Sequence, residues 1–172
     1  MIVMTTITVN AIGPAVIREL LQSDDAGNPA EPFTATEESG PLRCCLRPMR
    51  AGERVALVSY APLRRWAAET GAEPGPYSEV GPVFIHADGC EGPAGSGYPA
   101  PLAGGRRVLR AYSAAGTILR GRLFEPGPAA DPAEGEAALT EIFADPEVAL
   151  VHTRALEFGC FIFEVRRAAA PS

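Results

Sequence analysis

Apolar and polar positions along this chain alternate with the period of a strand more often than with that of a helix. Residues 2–12 (IVMTTITVNAI) are rich in Ile, Val and Thr and predict a strand or extended arm. Residues 42–46 predict a short strand. Residues 53–60 (ERVALVSY) predict a longer one, with Val55, Leu57 and Ser59 on one face and Ala56, Val58 and Tyr60 on the other. The run VFIHA at 83–87 is a strand that delivers His86, and residues 148–154 and 160–167 (CFIFEVRR) are the last two strands. Residues 106–124 predict a hairpin in which Ala114-Ala115-Gly116 forms a three-residue loop with glycine in the left-handed position. That register sets Tyr112 opposite Ile118 and Arg110 opposite Arg120. Leu109, Ala111 and Leu119 then share the apolar face, and Arg110, Tyr112, Arg120 and Arg122 share the other.

Helical spacing appears at residues 14–21, where Pro14 opens the first turn and Val16, Ile17, Leu20 and Leu21 lie on one side. It appears again at 132–144, with Asp131 as N-cap and Ala138, Leu139, Ile142 and Phe143 facing the core. Residues 61–82 hold Trp66, several prolines and one helical turn. Residues 23–41 and 125–132 are loops. The richest Gly/Pro stretch, residues 88–105 (DGCEGPAGSGYPAPLAGG), is a surface loop or flap. The expected fold is α+β, a mainly antiparallel β-sheet with one or two helices packed on it, in a single domain spanning residues 1–172.

Composition narrows the chemistry. The chain has 172 residues, is 47% hydrophobic and carries a net charge of −6, which argues against nucleic acid or an anionic membrane surface as partner. All 15 basic residues are arginine. With no lysine there is no Schiff-base amine, no phosphate-loop lysine and no lysine general base. The start, MIVMTTITVNAIG, lacks a charged leader pattern, and no apolar run reaches the roughly 18 residues of a membrane helix. The expectation is a cytoplasmic protein with reduced thiols, whose edge strands offer a route to a homodimer.

Four groups of residues carry candidate chemistry. His86 and His152, the only two histidines, suit acid and base roles because imidazole titrates near neutrality; Glu79 and Asp88 flank His86 and stand ready to orient it. Cys45, His86, Cys90, His152 and Cys160 are soft or borderline donors of the kind zinc prefers, although their spacing is no zinc signature, so no resident cofactor is expected and zinc stands as the alternative. Any of the four cysteines becomes a nucleophile if its pKa is lowered, whereas a buried cysteine is otherwise a small apolar filler. Cys44 and Cys45, neighbours on a strand, point to opposite faces and do not pair. Arg43, Arg110 and Tyr112 form a carboxylate- or phosphate-binding set, since the guanidinium fork matches such groups. The ordinary alternative for each is structural: a core histidine bonded to backbone, a solvated arginine face.

The pieces PLRCCLR, GERVALVSYAP, PYSEVGPVFIHADGC, RAY, DPEVALVH and GCFIFEVRR occur in that order between residues 41 and 167. Together they resemble the domain-of-unknown-function family 1203, small bacterial proteins of about this length. The resemblance places Arg43, Cys45, Tyr60, Tyr77, His86, Cys90, Tyr112, His152 and Cys160 on the family's pattern. It implies no established reaction. Cys44 stands where such sequences often carry histidine, and Ala155 where they often carry asparagine. The functional expectation is an enzyme or enzyme-like protein acting on a small anionic metabolite. His86 and His152 would be its acid and base, with Arg43, Tyr60, Tyr77, Glu79, Arg110 and Tyr112 as substrate contacts. The alternatives are a non-catalytic ligand-binding or protein-interaction module and a zinc-binding protein.

Overall fold

In the computed structural model, which describes residues 5–169, ten strands form two five-stranded sheets. This corrects the single sheet expected above. Residues 2–4 of the first predicted strand lie outside the described residues. The first sheet is antiparallel throughout. It contains β1 (Ile7–Asn10), β7 (Arg107–Tyr112), β8 (Ile118–Phe124), β9 (Leu150–Ala155) and β10 (Phe161–Arg167), in the order β1-β10-β9-β7-β8. The second contains β2 (Phe33–Thr34), β3 (Ser39–Leu42), β4 (Arg47–Met49), β5 (Arg54–Tyr60) and β6 (Gly81–His86), in the order β2-β5-β6-β3-β4. Only β3 and β6 run parallel there, touching where Leu42 faces Phe84.

Among the described residues three α-helices, not one or two, accompany the sheets: α1 (Pro14–Gln22), α2 (Pro62–Thr70) and α3 (Pro132–Phe143). α3 follows its local signals. Asp131 accepts the Ala133 amide at 2.9 Å, Pro132 opens the helix, and Ala138, Leu139, Ile142 and Phe143 are buried. α2 is the helix that the sequence under-reported. It buries only Pro62, Leu63 and Trp66, so its stripe is short. It is stopped by Gly71, whose φ of 78° is the left-handed conformation of a helix C-cap.

α3 covers one face of the first sheet, where Leu139, Ile142 and Phe143 pack with Leu109, Ala111, Val151 and Phe163. α2 joins Tyr112 and Leu150 through Leu63 and Trp66. α1 packs its Ile17 and Leu20 with Leu42, Val55, Val58 and Ile85 of the second sheet, and Phe161 belongs to that same cluster. The loop 88–105 is pinned rather than free. Tyr98 stacks edge-on against Phe163 and tilts against Phe124. Gly135 of α3 lies so close beneath the Tyr98 ring that any side chain there would collide with it.

A bulge between Ala111 and Tyr112 changes the hairpin register. Tyr112 faces Ile118 as expected, but Arg120 then faces Ala111, and Gly121 faces Arg110. The expected Arg110–Arg120 opposition does not form. Arg120 and Arg122 turn to the α3 side, where they meet Asp145 and Glu141, and Arg110 meets Glu79 on the other side. Leu119, the extra residue, is left half exposed.

Candidate metal centre

The segment read as a strand at 42–46 breaks at Leu42. Residues 43–46 are a turn closed by the Leu46 amide on the Leu42 carbonyl at 2.8 Å, with Leu46 at φ 56°. A turn lets neighbouring side chains converge where a strand would separate them. Cys44 and Cys45 therefore both reach the same imidazole. His86 Nδ1 lies 3.4 Å from Cys44 Sγ and 3.9 Å from Cys45 Sγ. The His86 amide also donates to Cys44 Sγ at 3.3 Å.

The other edge of the ring is held by a carboxylate. His86 Nε2 lies 3.2 Å from Glu53 Oε1. Glu53 is gripped by the Arg47 guanidinium through both oxygens and accepts the Arg50 amide at 2.7 Å. The Arg47 hydrogen bonds hold the Glu53 carboxyl down to about 2, so it is ionised at neutral pH and accepts. Nε2 is then the protonated nitrogen, and Nδ1 presents its lone pair to the thiols. Neither Glu79 nor Asp88, the acids flanking His86 in the sequence, does this: Asp88 stands exposed beside Arg54, and Glu79 serves two arginines elsewhere.

Cys90 completes the group from the start of the 88–105 loop, where the Gly92 amide donates to its Sγ at 3.4 Å. One donor atom each from Cys44, Cys45, His86 and Cys90 lies within 4.8 Å of all the others. The thiols are free and electronically unequal. The Cys44 thiol donating to Cys45, aided by the charge of Arg47, draws Cys45 below the ordinary thiol value, while that same bond and burial push Cys44 up. Burial also raises Cys90. The cluster thus holds one thiolate readily and resists forming three unless a cation joins it.

The donor set fits zinc. A tetrahedral ion with bonds of about 2.3 Å to sulfur and about 2.05 Å to nitrogen separates neighbouring S and N ligands by about 3.6 Å. The two S–N separations bracket that value. The carboxylate on the far ring nitrogen is the outer partner that metal-bound histidines commonly carry. Replacing Glu53 by glutamine should therefore weaken metal binding by about 10- to 100-fold, read by competition with a chromogenic chelator, because the ring loses its anionic anchor.

The remaining residues singled out from the sequence lie elsewhere. His152 is fully buried in the first sheet, with Nε2 at 3.4 Å from Glu164 and its ring edge-on to Tyr112 and Phe161. Burial pulls it below the ordinary imidazole value. Tyr112 is buried beside it, and Tyr60 tilts against Phe161. Glu79 bridges Arg110 and Arg154, each at 3.1 Å, while Tyr77 is exposed on a short turn before it. Arg43 is buried, and Cys160 lines a cavity with it. Two cysteine–histidine groupings read from residue type alone thus separate: Cys45, His86 and Cys90 come together with Cys44, and His152 and Cys160 do not join them. Cys44, Arg47 and Glu53 are the members that sequence reasoning missed. No turn residue marks positions 43–46, so the sequence held no signal for Cys44. Glu53 lies just ahead of β5, and the pairing of Val55 with His86 is what brings its carboxylate to the ring.

A family model described as a protein of unknown function, DUF1203, matches residues 39–167. No curated protein and no solved structure matches the chain. The chain belongs to the DUF1203 family, and the four donors all fall inside the matched segment.

Proposed function

We propose that this member of the DUF1203 family is a zinc-binding protein in which Cys44, Cys45, His86 and Cys90 hold one ion. The observation that carries the reading is the convergence of the four donor atoms, with His86 Nδ1 facing the thiols and Nε2 fixed on Glu53. Three thiolates and a neutral imidazole around a dication leave one net negative charge, and Arg47 lies close enough to feel the charges of Cys45 and Cys90. Four protein ligands close the coordination shell, which is the pattern of a structural rather than a catalytic ion. Such an ion ties the 43–46 turn, the end of β6 and the start of the 88–105 loop into one unit. Three ionised thiols also require a reducing compartment, in keeping with a cytoplasmic protein. Among the described residues no helix is long and apolar enough to cross a membrane.

A second reading, acid–base chemistry shared by His86 and His152, gains no support from their placement, because each imidazole sits in a different sheet with its own carboxylate.

Native mass spectrometry of freshly purified protein, set against its denatured mass, tests the zinc reading. One zinc per chain is expected. Cobalt exchanged into the same site should give intense thiolate-to-metal absorption in the near ultraviolet and tetrahedral d–d bands. A bare native mass after growth with zinc supplied, together with no cobalt–thiolate absorption, would overturn it.

A further inference from the structure

Arg43 and Arg107 are only 4% and 9% exposed, and among the described residues neither meets a carboxylate. Arginines elsewhere in the molecule do: Arg65 is held by Asp25 and Glu19, and Arg110 and Arg154 by Glu79. Among the described residues the hydrogen bonds of Arg43 and Arg107 go to backbone carbonyls, with the neutral Tyr98 hydroxyl beside Arg107. Arg43 Nε donates to Phe161 O at 2.8 Å and Nη1 to Pro41 O. Arg107 donates to Arg106 O at 3.0 Å and Leu102 O at 3.1 Å, and its Nε is buried with no partner. A buried charge without a counter-charge is costly, and two of one sign compound the cost.

Both arginines line one cavity of about 530 Å³, in the size range of small-molecule sites. It lies between the β3–β6–β5 surface of the second sheet and the β9–β10 turn of the first. Burial and the charge of Arg107 draw Arg43 down to about 10, which leaves it protonated at neutral pH. Gly105 packs against the Arg107 guanidinium so closely that any side chain there would displace it. The one acid on the cavity wall, Glu157, is exposed and engaged by Arg106 at 3.4 Å. Apart from Ser39 and Cys160, the rest of the wall is apolar. Phe84 and Ile162 line it, and its rim shows two large apolar side chains to solvent, Leu57 at 51% and Phe158 at 86% exposure.

We propose that this cavity binds a small organic acid, a carboxylate with an aliphatic or aromatic body. The carboxylate supplies the missing counter-charge to Arg43 and Arg107, and the body covers Leu57, Phe84 and Phe158. Guanidinium groups match a carboxylate through paired N–H donors. The apolar rim explains why a bare inorganic anion is the poorer occupant, since it would leave that surface wet. The site is separate from the cysteine–histidine centre and stands whether or not that centre holds zinc.

Cys160 lines the same cavity and reports on it. Its alkylation by iodoacetamide, followed by peptide mass analysis, is measured with octanoate or 3-phenylpropionate present. The controls are the corresponding neutral amides and inorganic phosphate. At ten times its dissociation constant, a bound acid should slow labelling of Cys160 about tenfold and raise the melting temperature. The amides and phosphate should do neither. Arg43→Gln should abolish the protection. Leu57→Glu, at an exposed position that does not threaten folding, should abolish it too by setting a like charge at the rim. Equal protection by the amides, equal protection by phosphate, protection that survives in both variants, or no protection by either acid would each overturn the proposal.

Discussion

On the zinc-binding proposal, Cys90→Ser should fail to hold the ion and lose about 4 kcal/mol or more of stability, the contribution of a ligand held at a thousandfold its dissociation constant. For a chain of this size that corresponds to a fall in melting temperature of about 10 °C. Cys90 is the ligand to replace. It sits half buried at the start of a loop, and the only backbone group bonded to its sulfur among the described residues is the Gly92 amide. Cys44, by contrast, accepts the His86 amide and helps close the end of β6. Serine preserves the Cys90 shape while removing a thiolate. Chelation should bring the wild-type protein to the melting temperature of Cys90→Ser and leave the variant unmoved. A wild-type transition indifferent to chelator would show that no ion supports the fold.

Acidification should destabilise the protein through His152, starting near pH 6.5. The ring is fully buried, and burial lowers its pKa more than the neighbouring Glu164 raises it. Glu164 is in any case already paired with Arg166 at 2.7 Å. The other charges acting on the ring, Arg110 and Arg154, also oppose its protonation. The unfolded chain therefore binds a proton at this residue at a pH where the folded chain does not. The stabilisation is complete above the unfolded value near 6.5. It is lost as pH falls toward the lower folded value, at about 1.4 kcal/mol per pH unit within that window. His152→Gln keeps a polar group opposite Glu164 and cannot titrate. Denaturant unfolding at a series of pH values should show a slope in the wild type and a flatter profile in the variant. Parallel profiles would remove His152 as the cause.

What could be read in advance divides by the range of the signal. α3 was legible because an Asp-Pro start and an i, i+3, i+4 apolar stripe are local. β5, β6 and β10 were legible because their alternation is long. The bulge at Ala111/Tyr112 left no local mark, so the two arginines read as opposed turned out to face different sides. The segment at 42–46 looked like a strand because Leu46 carries no outward sign of its left-handed backbone. That one turn hid Cys44 from the candidate site. His86 and Cys90 could be noticed from their types. Their association with Cys44 and Cys45 depends on the parallel meeting of β3 with β6, a contact between residues more than forty apart. The absence of a counter-charge at Arg43 and Arg107 is likewise a property of the packed molecule and cannot be counted from composition.

The pairing of β1 with β10 joins Ile7 to Arg167. On the ribosome, β1 must wait for β10 before the first sheet can close. The second sheet has no such delay, since all its strands lie between Phe33 and His86. Its cysteine–histidine centre is also finished by Cys90. A nascent chain can therefore pair those strands while the other sheet is still being synthesised, although Phe161 of β10 completes the core beneath them only later. Early pairing of those strands would give α1 a surface to dock on and hold β1 in place for the arrival of β10.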